Sequence, residues 1–279
     1  MPESKMRTGG RFDLPGALGI SAALVCLLLG ISKGSDWGWG SPGTVGLLAA
    51  SAVVLLLWGW WELRTEAPLV DLRVTARRQV LLTNTASMIF GFAMFAMSLV
   101  LPQLLQAPRA TGYGLGQSML VVGVVMAPSG LVMMAVAPVS ARISAAFGPK
   151  ASLMVGAAVV AAGYCVNIFL MSQVWQLVLV SVIIGAGIGI AYGAMPALVM
   201  GAVPLSETAA ANSLNTLMRS IGTSVSSAVA GVILAQMVVR LGSVALPTQD
   251  AFRTVMGIAA GAAVVAFAVA AFLPRRAAR

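Results

Sequence analysis

The side chains best suited to chemistry in this 279-residue chain are amides, hydroxyls and one arginine, and they lie within long apolar runs. Late in the chain, Asn215, Arg219, Gly222 and Ser226 recur every three or four residues, so they share one face of a helix. Asn212 extends this face by one turn. Such groups can hydrogen-bond a ligand or pair with an anion, but they supply no nucleophile.

An earlier apolar run carries a second polar face. Asn84, Ser87, Gly91 and Ser98 fall on one helical stripe of that run. The last apolar run has no polar side chain after Thr254. We therefore expect the two polar faces to point into the polar interior of a helical bundle, and the last run to face lipid.

Most residue types that carry enzymatic chemistry are missing from these runs. The chain has no histidine, and its two cysteines, Cys26 and Cys165, both lie inside apolar runs. We therefore expect no metal site, no disulfide, no cofactor and no enzymatic activity. All eight acidic residues fall in connections or at the ends of runs. Ion-coupled carriers usually keep a carboxylate inside the membrane, and this chain offers none there.

The composition indicates an integral membrane protein. Hydrophobic residues make up 59% of the chain, charged residues only 9%, and the mean hydropathy is +0.95. A net charge of +9 is compatible with nucleic-acid binding, but the basic residues sit at the ends of apolar runs. The charge therefore indicates membrane topology, and we expect no nucleic-acid partner.

Eight apolar runs predict an all-α, polytopic protein, because a helix of about 20 residues crosses the hydrocarbon layer of a bilayer. No run shows the alternation of barrel strands. The runs are A, Leu14–Ser32; B, Gly43–Trp61; C, Val80–Gln106; D, Gln117–Val139; E, Ala151–Met171; F, Val174–Val203; G, Leu214–Val239; and H, Thr254–Leu273.

The distribution of lysine and arginine predicts the orientation. Apart from Arg219, all but four of the 17 basic residues fall on one side of the predicted membrane. The four on the other side are Lys33, Arg109, Arg240 and Arg253. Because cytoplasmic connections are enriched in basic residues, we expect a multi-pass protein of the cell membrane with both termini in the cytoplasm.

A long charged interval at residues 62–79 divides the chain. It predicts a cytoplasmic N-terminal segment at 1–13, a transmembrane helix pair at 14–61, a cytoplasmic loop at 62–79, a six-helix bundle at 80–273 and a cytoplasmic tail at 274–279.

Run F carries glycines at a spacing of four residues, namely Gly185, Gly189 and Gly193. Small residues at this spacing let another helix approach closely. The pattern fits a pure packing face, and it also fits a helix that slides or bends during transport, with Pro196 as the bend.

Three further features allow two interpretations each. Arg219 either extends to the cytoplasmic interface or lines a cavity and pairs with a carboxylate from elsewhere. The connection with Arg142, Gly148 and Lys150 is either a plain positive turn or a gating loop. Thr111-Gly-Tyr-Gly resembles a potassium-channel filter, but no pore helix precedes it, which favours an ordinary flexible turn.

Taken in order, several fragments resemble the second part of a fourteen-span drug:proton antiporter of the major facilitator superfamily. The resemblance covers nearly the whole chain. Its fragments are Arg11-Phe-Asp-Leu-Pro-Gly, Trp37-Gly-Trp-Gly, Trp61-Glu-Leu-Arg, Leu101-Pro-Gln-Leu-Leu-Gln, Ala127-Pro-Ser-Gly, the turn 142–150 and Asn212-Ser-Leu-Asn-Thr-Leu-Met-Arg-Ser-Ile-Gly.

The resemblance implies that runs A and B are an accessory helix pair and that runs C to H are the second six-helix bundle of a carrier. It also implies a first bundle, absent from this sequence, that carries the proton-coupling acid. The turn 142–150 resembles the second-half copy of the family's gating loop. It departs from that copy at Ala145, Ala146 and Pro149, which leaves Arg142 and Lys150 as its basic residues.

The leading hypothesis is therefore the C-terminal part of a proton-coupled exporter of amphipathic small molecules, working by alternating access. Its expected partners are the lipid bilayer, the substrate and a six-helix bundle. The expected cavity residues are Asn84, Ser87, Tyr192, Asn215 and Arg219. The rival hypothesis is a non-transporting membrane subunit that binds a partner through run F, and a membrane enzyme ranks a distant third.

Overall fold

The computed structural model describes residues 13–65, 68–69, 72, 76–204, 208–241 and 244–274. The expected N-terminal segment, much of the 62–79 interval and most of the expected tail therefore lie outside the described residues. The chain forms two compact units, and the boundary between them falls after Ala76.

Long apolar helices dominate the described residues, and eight segments among them can cross a membrane. This confirms the prediction of an all-α membrane protein with eight spans. The helices are α1, Leu14–Trp37; α2, Pro42–Arg64; α3, Arg78–Gln106; α4, Met119–Ala135; α5, Ala137–Phe147; α6, Pro149–Phe169; α7, Val174–Met200; α8, Thr208–Gln236; and α9, Gln249–Ala271. Helices α4 and α5 together form the fourth span.

The first unit is the pair α1 and α2. Asp13 begins α1, and its carboxylate accepts a hydrogen bond from the Gly16 amide at 2.9 Å. Ser41 begins α2 in the same way, accepting from the Thr44 amide at 3.2 Å. Between the helices, the buried Ser51 hydroxyl donates to the Ala23 carbonyl at 2.8 Å, so the pair is joined within its apolar interface.

The second unit is the bundle α3–α9, and α7 lies at its centre. One face of α7 packs on α6, where Gly187 and Gly156 bring the two backbones together. Other residues of α7 contact α3, α4, α5 and α8. The glycines of α7 let α4, α5 and α6 approach its backbone closely, so α7 can be buried on these sides.

The fourth span differs from its prediction as a helix followed by a turn. Residues 137–147 form helix α5, and the turn is confined to Gly148, whose φ of +85° favours glycine. The Ser140 hydroxyl donates to the Ile190 carbonyl at 2.7 Å and so ties α5 to α7. The Ala- and Ser-rich sequence of α5 suits a helix and packs closely, which the charge-based prediction of a turn overlooked.

The connection between α8 and α9 also differs from its prediction. Run G was expected to reach Val239, but α8 ends at Gln236 and an antiparallel hairpin follows. Its strands are β1, Val238–Leu241, and β2, Val244–Pro247. β-Branched residues favour strands here, and Thr248 then caps α9 by accepting from the Ala251 amide at 3.1 Å.

Candidate functional site

The two polar helices of the sequence, α3 and α8, cross with their backbones in contact. A Cβ atom on Gly91 would overlap the carbonyl oxygen of Arg219, and one on Gly222 would overlap the carbonyl oxygen of Met88. Glycine is needed at both positions because any side chain would push the helices apart. The crossing brings the polar faces of the two helices together.

Beside this crossing lies a buried hydrogen-bonded cluster of three side chains. The Asn215 side-chain amide donates to the Asn84 side-chain oxygen at 3.0 Å and to the Ser87 hydroxyl at 2.6 Å. The Ser87 hydroxyl in turn donates to the Met195 sulfur of α7 at 3.1 Å. The exposed fractions of Asn84, Ser87 and Asn215 are 4%, 0% and 5%. In this conformation the cluster is sealed, and the Asn215 amide nitrogen has both Asn84 and Ser87 as acceptors.

One turn further along α8, Arg219 lies over the ring of Tyr192 on α7. The guanidinium carbon is 4.9 Å from the ring centroid, which is a cation–π contact. The Tyr192 ring also packs edge-on against Phe90 of α3, and its hydroxyl lies 3.7 Å from the Met94 sulfur. Arg219 and Tyr192 are both half-buried, so they are more accessible than the sealed cluster.

The charge of Arg219 has no carboxylate partner among the residues that the structure describes. Their side-chain ion pairs join Lys33 to Asp36 and Arg253 to Asp250. A charge inside a membrane is costly unless it is paired or hydrated. The Tyr192 ring offsets part of this cost, and the remainder calls for water or an anion.

The structure thus gathers the five expected cavity residues into two adjoining groups between α3, α7 and α8. Asn84, Ser87 and Asn215 form the sealed group, and Tyr192 and Arg219 form the accessible one. Together they can hydrogen-bond a ligand, stack on an aromatic ring and attract negative charge. Nothing in the arrangement supports covalent catalysis.

The residues expected to form a gating loop lie in different local environments. The Lys150 ammonium donates to the carbonyls of Ala271 and Leu273 at 2.6 and 2.7 Å, so it caps the end of α9. Arg142 lies exposed on α5, and Gly148 forms the turn between them. The positive charge of Lys150 is therefore engaged within the bundle.

The glycine stripe of run F faces α4 and α5. Cβ atoms on Gly185 and Gly189 would lie 2.7 Å from the carbonyl oxygens of Ser129 and Met133. One on Gly193 would lie 2.6 Å from the Ser140 hydroxyl. Gly185 and Gly189 are buried under α4, whereas Gly193 contacts Ser140 of α5 and is otherwise exposed.

Sequence reasoning missed several buried polar contacts. The Ser144 hydroxyl donates to the Ser152 hydroxyl at 2.9 Å, and Ser152 donates to the Ser140 carbonyl at 2.9 Å, which joins α5 to α6. Asn167 of α6 is fully buried, and neither atom of its amide has a hydrogen-bond partner in the described structure. Serines at helical spacing were a signal for the first contact, but no pattern distinguishes Asn167.

The Thr111–Gly114 segment is more ordered than the flexible turn that was expected. The Tyr113 hydroxyl donates to the Pro247 carbonyl of the hairpin, and its ring packs against Phe252. Partial burial raises the pKa of Tyr113, and a hydrogen bond from Thr111 partly opposes this effect. The segment therefore ties the α3–α4 connection to the hairpin.

A cavity of about 360 Å³ lies between α3, α8 and α9. Its lining is apolar, apart from backbone, and Gly222 forms part of it. The lining residues are Met88, Ile89, Phe92, Gly222, Val225, Ile258, Ala262 and Val265. Polar groups that could orient a ligand are absent from this lining, so it is a weaker candidate than the Asn215–Arg219 region.

Comparison with known proteins gives consistent results. The family model described as Major Facilitator Superfamily matches residues 14–227 and 86–279. The multidrug resistance protein Stp of Mycobacterium tuberculosis is 27% identical over 234 residues, covering 84% of this chain and 42% of that protein. A tetracycline resistance determinant of Streptomyces rimosus is 27% identical over 225 residues, covering 78% of this chain and 62% of that protein. The chain thus spans about half of the length of these relatives.

A solved structure shares the fold. The crystal structure of the nucleoside transporter NupG superimposes with a TM-score of 0.55 at 18% identity. The superposition covers 90% of this chain and 64% of NupG. At this identity the likeness concerns the fold alone.

Proposed function

We infer that this chain, which belongs to the Major Facilitator Superfamily, supplies the C-terminal part of a secondary exporter of amphipathic small molecules. The observation that carries this inference is the polar group Asn84–Ser87–Asn215, held at a backbone-to-backbone crossing of α3 and α8. A polar group inside membrane-spanning helices is costly, and it is typical of a ligand pathway. The resistance functions named for the relatives support the substrate class.

In this proposal the three buried side chains exchange partners during transport. With the site closed, Asn215 donates to Asn84 and Ser87. When α8 moves relative to α3, the hydrogen bonds between these three side chains break. Their donor and acceptor atoms can then form hydrogen bonds with the substrate. Because the exchange replaces hydrogen bonds with hydrogen bonds, it can occur at small net free-energy cost.

Arg219 and Tyr192 take a different role, since they are accessible while the cluster is sealed. Tyr192 offers an aromatic face to lipophilic substrates, and Arg219 holds a positive charge beside it. We propose that a carboxylate from a second six-helix bundle neutralises Arg219 and couples transport to protons. The acidic residues of this sequence lie in connections or near the ends of its spans, so this carboxylate would be the acid within the membrane.

The proposed orientation puts both termini in the cytoplasm of a bacterial cell and the spans in its cell membrane. The excess of lysine and arginine on that side supports this orientation. The turn at Gly148, with Arg142 and Lys150, would then lie at the cytoplasmic surface, and the hairpin 238–247 at the outer surface.

The rival hypothesis of a partner-binding surface on run F has less support. It requires a free glycine face on α7, but Gly185 and Gly189 are buried against α4, which leaves only Gly193 exposed. The opposite face holds Gly187, which packs against α6.

The proposal is tested by ethidium efflux from a bacterium that lacks its own drug pumps. The chain is expressed alone, and also together with the part of the Mycobacterium multidrug resistance protein that it does not match. We expect efflux that collapses with a protonophore only in the second strain. Robust proton-driven efflux by the chain alone would contradict the need for a second bundle. Absence of efflux from both strains, with the chain in the membrane, would count against export.

A further inference from the structure

The apolar cavity between α3, α8 and α9 is a crevice on the outside of the bundle. Helices α8 and α9 both pack on α3 but barely touch each other. Met88, Ile89 and Phe92 of α3 therefore form the floor of the crevice. Ile258 and Val265, which line it on α9, have exposed fractions of 39% and 52%, so the crevice opens outward. In a membrane an apolar outer surface of this kind meets lipid.

The size of the crevice limits what can occupy it. An α-helix with its side chains is about 10–12 Å across, so a second protein helix cannot enter a cavity of about 360 Å³. A hydrocarbon chain is much narrower, and it has no polar groups that need hydrogen bonds. Gly222 of α8 and Ala262 of α9 project little from the two walls and leave room between them. The size and lining of the crevice therefore fit an acyl chain.

An arginine lies on the same face of α3, at the start of the helix. At 100° per residue, Arg78 lies within about 40° of Ile89 and Phe92 around the helix axis. Leu81 and Thr85 fall between Arg78 and the crevice on the same side of the helix. One stripe of α3 thus leads from a positive charge to an apolar crevice.

Arg78 is exposed, and the side-chain ion pairs of the described residues do not include it. Its neighbour Arg77 is also exposed, but the Arg77 guanidinium donates to the Ala202 carbonyl beyond the end of α7 at 3.2 Å. A basic residue at the membrane surface attracts anionic lipids, and a guanidinium group can bind two phosphate oxygens at once. The charge of Arg78 is therefore suited to a lipid phosphate.

The spacing of the charge and the crevice matches one leaflet of a bilayer. The rise along α3 from Arg78 to Phe92 is about 21 Å at 1.5 Å per residue. A bilayer with its headgroups is about 40–45 Å thick, so one leaflet extends about 20 Å from the headgroups to the midplane. A lipid with its phosphate at Arg78 therefore has an acyl chain that reaches the crevice.

We propose that Arg78 and the crevice form one binding site for an anionic phospholipid. The Arg78 guanidinium binds the phosphate, and one acyl chain fills the crevice between α8 and α9. In the orientation proposed above, this is a lipid of the cytoplasmic leaflet. The lipid is a ligand separate from the substrate, since the crevice lining does not include residues of the Asn215–Arg219 region.

The test measures lipid binding to the full chain in detergent. The chain is titrated with phosphatidylglycerol or with phosphatidylcholine of identical acyl chains, and native mass spectrometry gives the affinity for the first lipid bound. Arg78→Gln tests the headgroup site, with Arg77→Gln as its control. Val265→Phe tests the crevice, and Val264→Phe is its control because Val264 is equally exposed but does not line the crevice. All four variants replace exposed side chains, so they should keep the fold.

We expect phosphatidylglycerol to bind about fivefold more tightly than phosphatidylcholine, which is the effect of one arginine at a lipid surface. Arg78→Gln should abolish this preference, and Arg77→Gln should retain it. Val265→Phe should weaken the binding of both lipids about tenfold, the effect of displacing about two buried methylene groups. Val264→Phe should bind both lipids as the unsubstituted chain does.

Three results would overturn the proposal. Equal affinity of the unsubstituted chain for the two lipids would mean that no group recognises the charge of the headgroup. Loss of the preference in Arg77→Gln as well as in Arg78→Gln would indicate a general effect of positive charge. Equal binding by Val264→Phe and Val265→Phe would place the acyl chain outside the crevice. Because lipid binding is measured without transport, this proposal and the exporter can fail separately.

Discussion

The Asn215 amide reaches across the α3–α8 interface and donates to the Ser87 hydroxyl at 2.6 Å, while both residues are almost fully buried. This bond, together with the bond to Asn84, joins the polar faces of α3 and α8 inside the bundle. A paired polar group of this kind stabilises one conformation and still remains available to a ligand in another.

Replacing Asn215 with leucine should destabilise the protein by about 1–3 kcal/mol, because Asn84 and Ser87 lose a shared partner while buried. The matched control is Asn167→Leu, which removes a buried amide that has no partner in the described structure. This control should be neutral or stabilising. The measurement is thermal unfolding in detergent. Equal losses in both variants would contradict the structural role of the cluster.

Because α3 and α8 cross closely, adding a methyl group to a glycine at the crossing should reduce stability more than adding one to a glycine elsewhere in the bundle. Gly91→Ala and Gly222→Ala should each lower the free energy of unfolding by about 1–3 kcal/mol, because the new Cβ meets a backbone carbonyl. Gly123→Ala and Gly261→Ala add the same group where nothing lies within 4 Å. Urea or thermal unfolding of all four compares the sites. Tolerance of alanine at Gly222 would mean that the helices are further apart.

Arg219 should matter for transport more than for stability. When the chain is expressed together with a second six-helix bundle, Arg219→Gln should reduce ethidium efflux about tenfold or more. This is the effect expected for loss of a charge that stabilises a bound state. Arg253→Gln is the control, since Arg253 is an exposed arginine already paired with Asp250. Both variants are compared at equal amounts in the membrane. Unchanged efflux with Arg219→Gln would leave this arginine only the interfacial role.

Lys150 and Arg142 belong to the same expected gating loop but should behave differently. Lys150→Met removes the donor to the Ala271 and Leu273 carbonyls and should destabilise α9 by about 0.5–2 kcal/mol. Arg142→Met should leave stability unchanged, because Arg142 lies exposed on α5. Hydrogen exchange of α9 amides measures the difference. Identical exchange in the two variants would rule out the cap.

Tyr113 links an alkaline pH dependence to the hairpin. Burial raises its pKa above that of the unfolded chain, so its contribution to stability is present at neutral pH and is lost as pH rises past about 10. Tyr113→Phe should remove this part of the alkaline loss. It should also speed hydrogen exchange in β1 and β2, because the bond to Pro247 disappears. The measurement is unfolding between pH 8 and 11, with the unsubstituted chain as the reference.

Span number followed from the sequence because run length and hydropathy are properties of single segments. Side-chain partners did not, because they depend on how segments meet. The polar faces that contain Asn84 and Asn215 were visible in the sequence as helical stripes. Only the helix crossing at Gly91 and Gly222 shows that the two faces bury each other.

The two incorrect element predictions, the turn at 142–150 and the end of run G, also arose because the sequence does not show how segments pack. Arg142 and Lys150 predicted a turn through their charge, but residues 137–147 form α5, which contains Arg142, and Ser140 of this helix donates to α7. The hairpin was lost inside run G because Val238 and Val239 are as hydrophobic as a membrane helix requires. Hydropathy does not separate strand from helix in a segment so short.

The lysine cap on α9 has a consequence for how the bundle is assembled. Lys150 is synthesised with α6, well before the ribosome has made α9. At that stage the carbonyl acceptors of its ammonium group, on Ala271 and Leu273, do not yet exist. Docking of α9 onto the earlier helices is then completed by a bond between residues some 120 positions apart. A label or fusion that disturbs the region around Leu273 would therefore interfere with biogenesis before it could affect substrate movement.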